Sequence, residues 1–137
     1  MIKHILTHYK KTYIIESFKE YINNKLTLCE KYNQHGNIIY RYRRNFEEKQ
    51  EWEKWIYDEN NNKIYYETSK GIVWNALYNQ YNQITLDVSN MGKYYEFKYD
   101  ELNRLISIET GNVLSERRPM ITRYTYNKNG ERTGIFM

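Results

Sequence analysis

With one cysteine and one proline in 137 residues, the chain has no means of forming an internal disulfide and little with which to interrupt regular backbone. A disulfide-stapled mini-domain is therefore excluded. Cys29, in Leu26-Thr-Leu-Cys-Glu-Lys-Tyr32, reads as a packing residue of a strand, in keeping with a reducing compartment. Long apolar runs are also missing: none approaches the ~18 residues of a spanning helix, and the opening Met-Ile-Lys-His-Ile-Leu-Thr-His turns polar too early for a secretory leader. A soluble, cytoplasmic protein is expected. Charge is not of one sign, since 21 Lys/Arg meet 17 Asp/Glu for a net +4. The excess lies in residues 1–56, with 11 cations against 7 anions, whereas residues 57–137 hold 10 of each. That asymmetry is mild beside the footprint of a dedicated DNA binder, although the sequence pI of about 9.0 sits at its threshold.

Catalytic signatures are lacking too. There is no Gly-rich phosphate loop, no zinc-ligand spacing and no nucleophile elbow, so neither an enzyme nor a cofactor is expected. His4 and His8 share a strand face but have no Cys, Asp or Glu ligand near them in sequence, and no metal site is expected. The acid pairs Asp58-Glu59 and Asp100-Glu101 fall where turns need a capping carboxylate, which accounts for them without chemistry.

What the chain does have is tyrosine, 16 in all. Five of them, Tyr32, Tyr57, Tyr78, Tyr99 and Tyr126, are each followed by Asn or Asp: Asn33, Asp58, Asn79, Asp100 and Asn127. Four places after each Tyr stand Gly36, Asn61, Asn82, Asn103 and Gly130, the residue types that tolerate φ > 0. This is the chemistry of a type I turn re-entering a hairpin ladder. Gly92 to Leu105, with Tyr95, Phe97 and Tyr99 alternating against Glu96 and Lys98, gives the clearest strand-then-turn pattern. Aromatic rings are expected to supply much of the core of one domain.

Residues 2–9 alternate as a strand. Over 12–22 helical and strand periods compete, and strand is favoured because Asn23-Asn24 makes a two-residue hairpin connection to the next strand. Tyr40 to Phe46 continues as a strand. The charged stretch 46–56 reads as a connection, with a turn or two of helix as the other option. From Tyr57 the period is regular, 78 − 57 = 21 and 99 − 78 = 21, with Gly71 and Gly92 marking the opposite turns. Trp55, Ala76, Phe97 and Tyr124 face one way as an aromatic ladder, while Ile56, Leu77, Lys98 and Thr125 face the other. Ile84 comes one place earlier after its Tyr than Ile64 does, which predicts a shorter loop or a bulge. The last interval is 126 − 99 = 27, and its extra residues fall in Gly111 to Met120, an expected exposed loop containing Pro119. The whole predicts an all-β antiparallel meander of nine or ten strands, strongly twisted or curled into an open or partial barrel. It forms a single domain, 1–137, with N-terminal strands over 1–31 and repeats over 32–133.

Gly92 to Leu105 resembles the YD repeat of RHS proteins: a glycine, spaced aromatics, Tyr-Asp, two free residues, Gly or Asn, then Arg and Leu. Arg123-Tyr-Thr-Tyr-Asn-Lys-Asn-Gly-Glu-Arg132 resembles a second copy, and the units at Tyr32, Tyr57 and Tyr78 keep the turn without Arg-Leu. The resemblance implies antiparallel sheet with a structural rather than catalytic role. Too few units are present to wrap a toxin, and short YD-repeat proteins of this kind look like phage or bacterial accessory products, with host cytoplasm the location for a phage product.

Two functions are in view. The leading one is protein binding, as a stoichiometric inhibitor of a nuclease or toxin of the immunity or anti-CRISPR type, because Tyr, Trp and Arg surfaces suit interfaces. The alternative is RNA or single-stranded nucleic-acid binding. Candidate contact residues are Arg41, Arg43 and Arg44 with Tyr40 and Tyr42, together with Arg117, Arg118 and Arg123. Asp58, Asn61, Asp100, Asn103 and Gly130 are candidate structural turn residues. A homodimer through the aromatic face or a terminal strand is a further expectation.

Overall fold

The structure is a computed structural model that describes residues 1–10 and 14–137. Residues 12 and 13, where the expected second strand begins, lie outside the described residues. The chain divides into two compact units, Met1–Ile72 and Val73–Met137. Each is a six-stranded antiparallel meander. The first contains β1 (Ile2–His8), β2 (Ile15–Ile22), β3 (Lys25–Tyr32), β4 (Ile38–Arg44), β5 (Gln50–Tyr57) and β6 (Lys63–Thr68). The second contains β7 (Val73–Tyr78), β8 (Ile84–Ser89), β9 (Lys93–Tyr99), β10 (Leu105–Asn112), β11 (Met120–Tyr126) and β12 (Arg132–Phe136). The described residues contain no helix. Within each unit strand order is sequence order, and no ladder joins first strand to last, so neither unit closes on itself.

Twelve strands replace the nine or ten expected, partly because residues 46–56 are not a charged connection or a helix. They contain a tight turn and then β5. The turn is the one repeated after every Tyr. In each copy the first residue's N–H donates to the carbonyl four places on, and its carbonyl accepts from the N–H three places on; at Asn33 these bonds measure 2.8 and 3.0 Å. Asn45 makes the same pair, at 3.1 and 3.0 Å, with Glu48 taking the left-handed position at φ 61°. Arg44 in place of Tyr, and Glu in place of Gly or Asn, hid this copy.

Each Asx side chain locks its own turn. Asn33 Oδ1 accepts from the N–H groups of His35 and Asn37, both at 3.0 Å, and the equivalent bonds recur at Asn45, Asp58, Asn79, Asp100 and Asn127. These bonds satisfy backbone donors that the hairpin leaves free. Asn61, Asn82 and Asn103 carry φ of 67°, 61° and 62°, while Gly36 and Gly130 carry 82° and 80°. The ladder shifts register at every Tyr of the repeat, the mark of a bulge that follows such a turn. Tyr78 pairs Ile84 just as Tyr57 pairs Lys63, so the early Ile84 reflects no shorter loop. The two units have the same reversal and differ only in which residue occupies its exit.

The expected aromatic core is where the structure departs furthest from the sequence reading. Among the described residues only Cys29, Ser89 and Gly92 are buried, the two side chains at 5% and 7% exposure, and no side chain is fully enclosed. Within each unit a strand touches only its ladder neighbours. Its side chains are thus shielded by others on the same face and not by a second layer, which leaves most rings half-buried. In their place hydroxyls secure the rims. Tyr57 Oη donates to the Ile38 carbonyl at 2.9 Å, Tyr99 to Ile84 at 2.7 Å and Tyr126 to Leu105 at 2.6 Å. Each acceptor is the first residue of the strand paired to that Tyr's own, just past a reversal. This explains Tyr in preference to Phe at these positions.

Candidate binding faces

Four unbroken rows cross the first unit, and they alternate between its two faces. Ile5, Lys19, Cys29, Tyr42 and Trp52 form one row, and Thr7, Ser17, Lys31, Tyr40, Lys54 and Glu67 form another on the same face. The opposite face carries His4, Glu20, Leu28, Arg43 and Glu51, then Leu6, Phe18, Glu30, Arg41, Glu53 and Thr68. Adding Lys3 opposite Tyr21 and Arg44 opposite Gln50, the first face holds five cations and one carboxylate, 5 − 1 = +4. The second holds two Arg and four Glu, 2 − 4 = −2. Over these paired positions, positive charge collects on one face of the sheet and negative charge on the other.

The two faces also treat their charges differently. On the acidic face Arg41 Nε donates to Glu30 at 3.1 Å and lies over Trp55 at 5.6 Å, and His4 meets Glu20 at 3.0 Å. Tyr66 Oη donates to Glu53 at 2.7 Å, and Tyr66 lies 5.4 Å from the Trp55 ring. Burial, and then the Glu53 carboxylate, push the Tyr66 phenol up to about 12. A folded value raised above the unfolded one favours folding below pH ~10, and that contribution disappears as pH rises toward 12. On the basic face, by contrast, Lys3, Lys19, Lys31, Arg44 and Lys54 form none of the salt bridges among the described residues. Lys31 Nζ lies 5.6 Å from the Tyr40 ring centre and Lys54 Nζ 4.6 Å from that of Trp52, while Arg44 Nε donates to Tyr42 Oη at 3.1 Å. Glu67 is engaged by the Tyr65 hydroxyl at 3.1 Å. A trough of about 820 Å³ opens on this side, with Lys31, Tyr40, Lys54 and Tyr65 in its lining together with the carboxylates of Asp58 and Glu67, both of which already accept hydrogen bonds.

The sequence-derived candidates divide between these surfaces. Tyr40, Tyr42 and Arg44 share the basic face. Arg41 and Arg43 point the other way, Arg41 ion-paired and Arg43 exposed opposite Glu51. In the second unit Arg117 and Arg118 lie exposed in the loop between β10 and β11, and Arg123 is exposed on β11 between Ser107 and Phe136. Pro119 is in that loop as expected. One face of this unit bears Trp74, Ala76, Tyr95, Phe97 and Tyr124, with Trp74 and Tyr95 stacked at 6.1 Å, and the other is mixed, with Lys98 3.6 Å from Glu96.

The charges that recur in the turns are structural. The backbone N–H of Asn62 holds the Asp58 carboxyl below its ordinary value, and that of Arg104 does the same for Asp100. Arg104 Nε also donates to Asp100 Oδ2 at 2.7 Å while its guanidinium sits 4.6 Å from the Tyr126 ring, joining one reversal to the next. No group of three or more His, Cys, Asp or Glu fit to hold a metal occurs among the described residues. The segregation of charge between faces escaped the sequence reading, although period-two counting along Tyr40-Arg-Tyr-Arg-Arg44 separates Arg41 and Arg43 from the tyrosines.

No protein-family model matches the chain, and no curated protein does. Among solved structures it is similar to the chain in crystal structures of TcdB2-TccC3-TEV and TcdB2-TccC3-Cdc42, each at 11% identity and TM-score 0.43. The match covers 98% of this chain and 10% of either neighbour, so this chain spans about a tenth of their length.

Proposed function

We propose that this is a non-enzymatic, macromolecule-binding protein built on YD-like repeats, an accessory product of phage or bacterial type. It acts as a stoichiometric inhibitor that covers a nuclease or toxin, in the manner of an immunity or anti-CRISPR protein. One observation carries this reading: the sheet faces lack a covering layer and display half-buried Tyr and Trp beside charged side chains, the composition of interface hot spots. The polar groups with clear structural partners, such as Asp58, Asp100, Glu30 and Arg41, are occupied in maintaining turns and ladders.

The test is capture from the native host with the whole chain as bait, followed by titration of the captured enzyme. The expected result is loss of that enzyme's turnover with an endpoint at one inhibitor per active site. Turnover of a small substrate by the purified chain, with no stable partner, overturns the proposal.

A further inference from the structure

We infer that the basic face of residues 1–72 is a binding site for single-stranded nucleic acid. This rests on the reading of the chain as a binding scaffold and names the chemistry one of its faces accepts: a nuclease complex presents a strand as well as a protein surface.

Three observations converge. The first is charge left over. Over the paired rows one face sums to +4 and the other to −2, and none of the five cations of the basic face is in a salt bridge among the described residues, whereas Arg41 on the acidic face is held by Glu30. Unpaired lysines on a strand surface attract phosphate through counterion release.

The second is the rings. Tyr40, Tyr42, Trp52 and Tyr65 lie half-buried on the same face as the lysines, with Lys31 beside the Tyr40 ring and Lys54 beside that of Trp52, so ring and cation are already paired at each position. Tyr40 and Tyr42 stand two residues apart on β4, roughly 6.7 Å along the strand, and so receive separate, unstacked bases. Aromatics on an open sheet flanked by cations are the general means by which single strands are held without reading sequence.

The third is shape. Lys31 and Lys54 flank Tyr40 across neighbouring strands, roughly 9.6 Å apart, at the trough of about 820 Å³. A flat acidic protein surface would meet the lysines but leave the rings within the trough unfilled, which favours a polymer with both phosphate and planar bases.

The experiment is fluorescence anisotropy with labelled 15-nucleotide oligo-U and oligo-dT at 50 and 200 mM salt, using the whole chain. Lys31→Ala/Lys54→Ala should weaken binding at least tenfold and flatten the slope of log affinity against log salt by about 1.4, twice the single-strand value of 0.7 per phosphate contact. Trp52→Leu should cost about fivefold or more through lost stacking. Arg43→Ala, on the opposite face, should leave affinity within twofold. Lys31→Arg/Lys54→Arg should retain binding, which separates lost charge from lost folding.

Unchanged affinity in the double Ala variant, or an equal loss in Arg43→Ala, overturns the assignment. Displacement of the strand by polyglutamate at matched charge concentration overturns it in favour of an acidic protein partner. Absent oligonucleotide binding with an intact one-to-one inhibitory complex sinks this inference alone, whereas loss of both sinks the scaffold reading as well.

Discussion

The two units share one reversal and one ladder geometry but use their faces differently. In residues 1–72 the rows sort charge by side, whereas in residues 73–137 Trp74, Tyr95, Phe97 and Tyr124 make an aromatic face that also carries Asp87 and Lys93, and Glu96 meets Lys98 on its reverse. The turns thus define the scaffold, while the strand residues between them are free to specialise. Asn33 in the first unit and Asn79 in the second make matching bonds although the strands they join share little side-chain chemistry.

The two units differ most sharply at matched glycines. Gly71 and Gly92 have φ of 80° and 89°, but an added Cβ meets nothing within 4 Å at Gly71, whereas at Gly92 it falls 2.6 Å from Asn112 Oδ1 and 2.8 Å from Leu114 Cγ. Gly92→Val should destabilise the second unit by about 3 kcal/mol, combining left-handed strain with overpacking, and Gly71→Ala should cost about 1 kcal/mol. Denaturation followed by fluorescence separates the two, since Trp74 belongs to the second unit and Trp52 and Trp55 to the first. Equal losses would refute the role of the Leu114 contact.

Next comes the contrast between faces. Arg41→Ala removes the charged donor from the Glu30 carboxylate and should cost about 1.5 kcal/mol in urea unfolding, while Lys31→Ala should stay within about 0.5 kcal/mol. A reversed order would show that the basic face is held for stability. Tyr57→Phe and Tyr99→Phe should each lose about 1 kcal/mol by the same measurement, one in each unit, because each removes a hydroxyl donor from a strand-end carbonyl. Glu48→Gly should raise the melting temperature by about 4 °C, as glycine takes φ 61° without strain and the Lys25–Glu48 pair it removes is exposed.

The smallest effect concerns pH. Asp100 has its folded value depressed, so its contribution is present above the unfolded value of about 3.9 and is lost as pH falls through the lower, folded one. Asp100→Asn, the residue four other copies use, should remove part of the fall in melting temperature on acidification from pH 5 to pH 2. An identical acid profile in the variant would assign that fall to other groups.

The reversals after each Tyr were legible because an Asx at the start and a φ > 0 residue four places after the Tyr are sequence-local requirements. Asn23-Asn24, at φ 51° and 65°, was legible for the same reason. The Asn45 turn was not, since Glu48 bears a backbone conformation its residue type disfavours. The faces were only partly legible. Each bulge resets the period of two, so alternation counted through a turn assigns the next strand wrongly, and the sorting of Lys31, Tyr40 and Lys54 onto one side emerges only from the ladder register. The missing core had a different cause: composition counts apolar atoms but does not say whether a second layer exists to cover them.

Because a strand in either unit leans only on those beside it, the architecture sets no preferred size. Duplicating a 21-residue segment such as 79–99 would widen the sheet by two strands, roughly 9.6 Å, while leaving every existing bond in its place. Growth by tandem copying is then almost free of structural penalty, and what selection can vary is how many rungs the array offers to whatever lies along it.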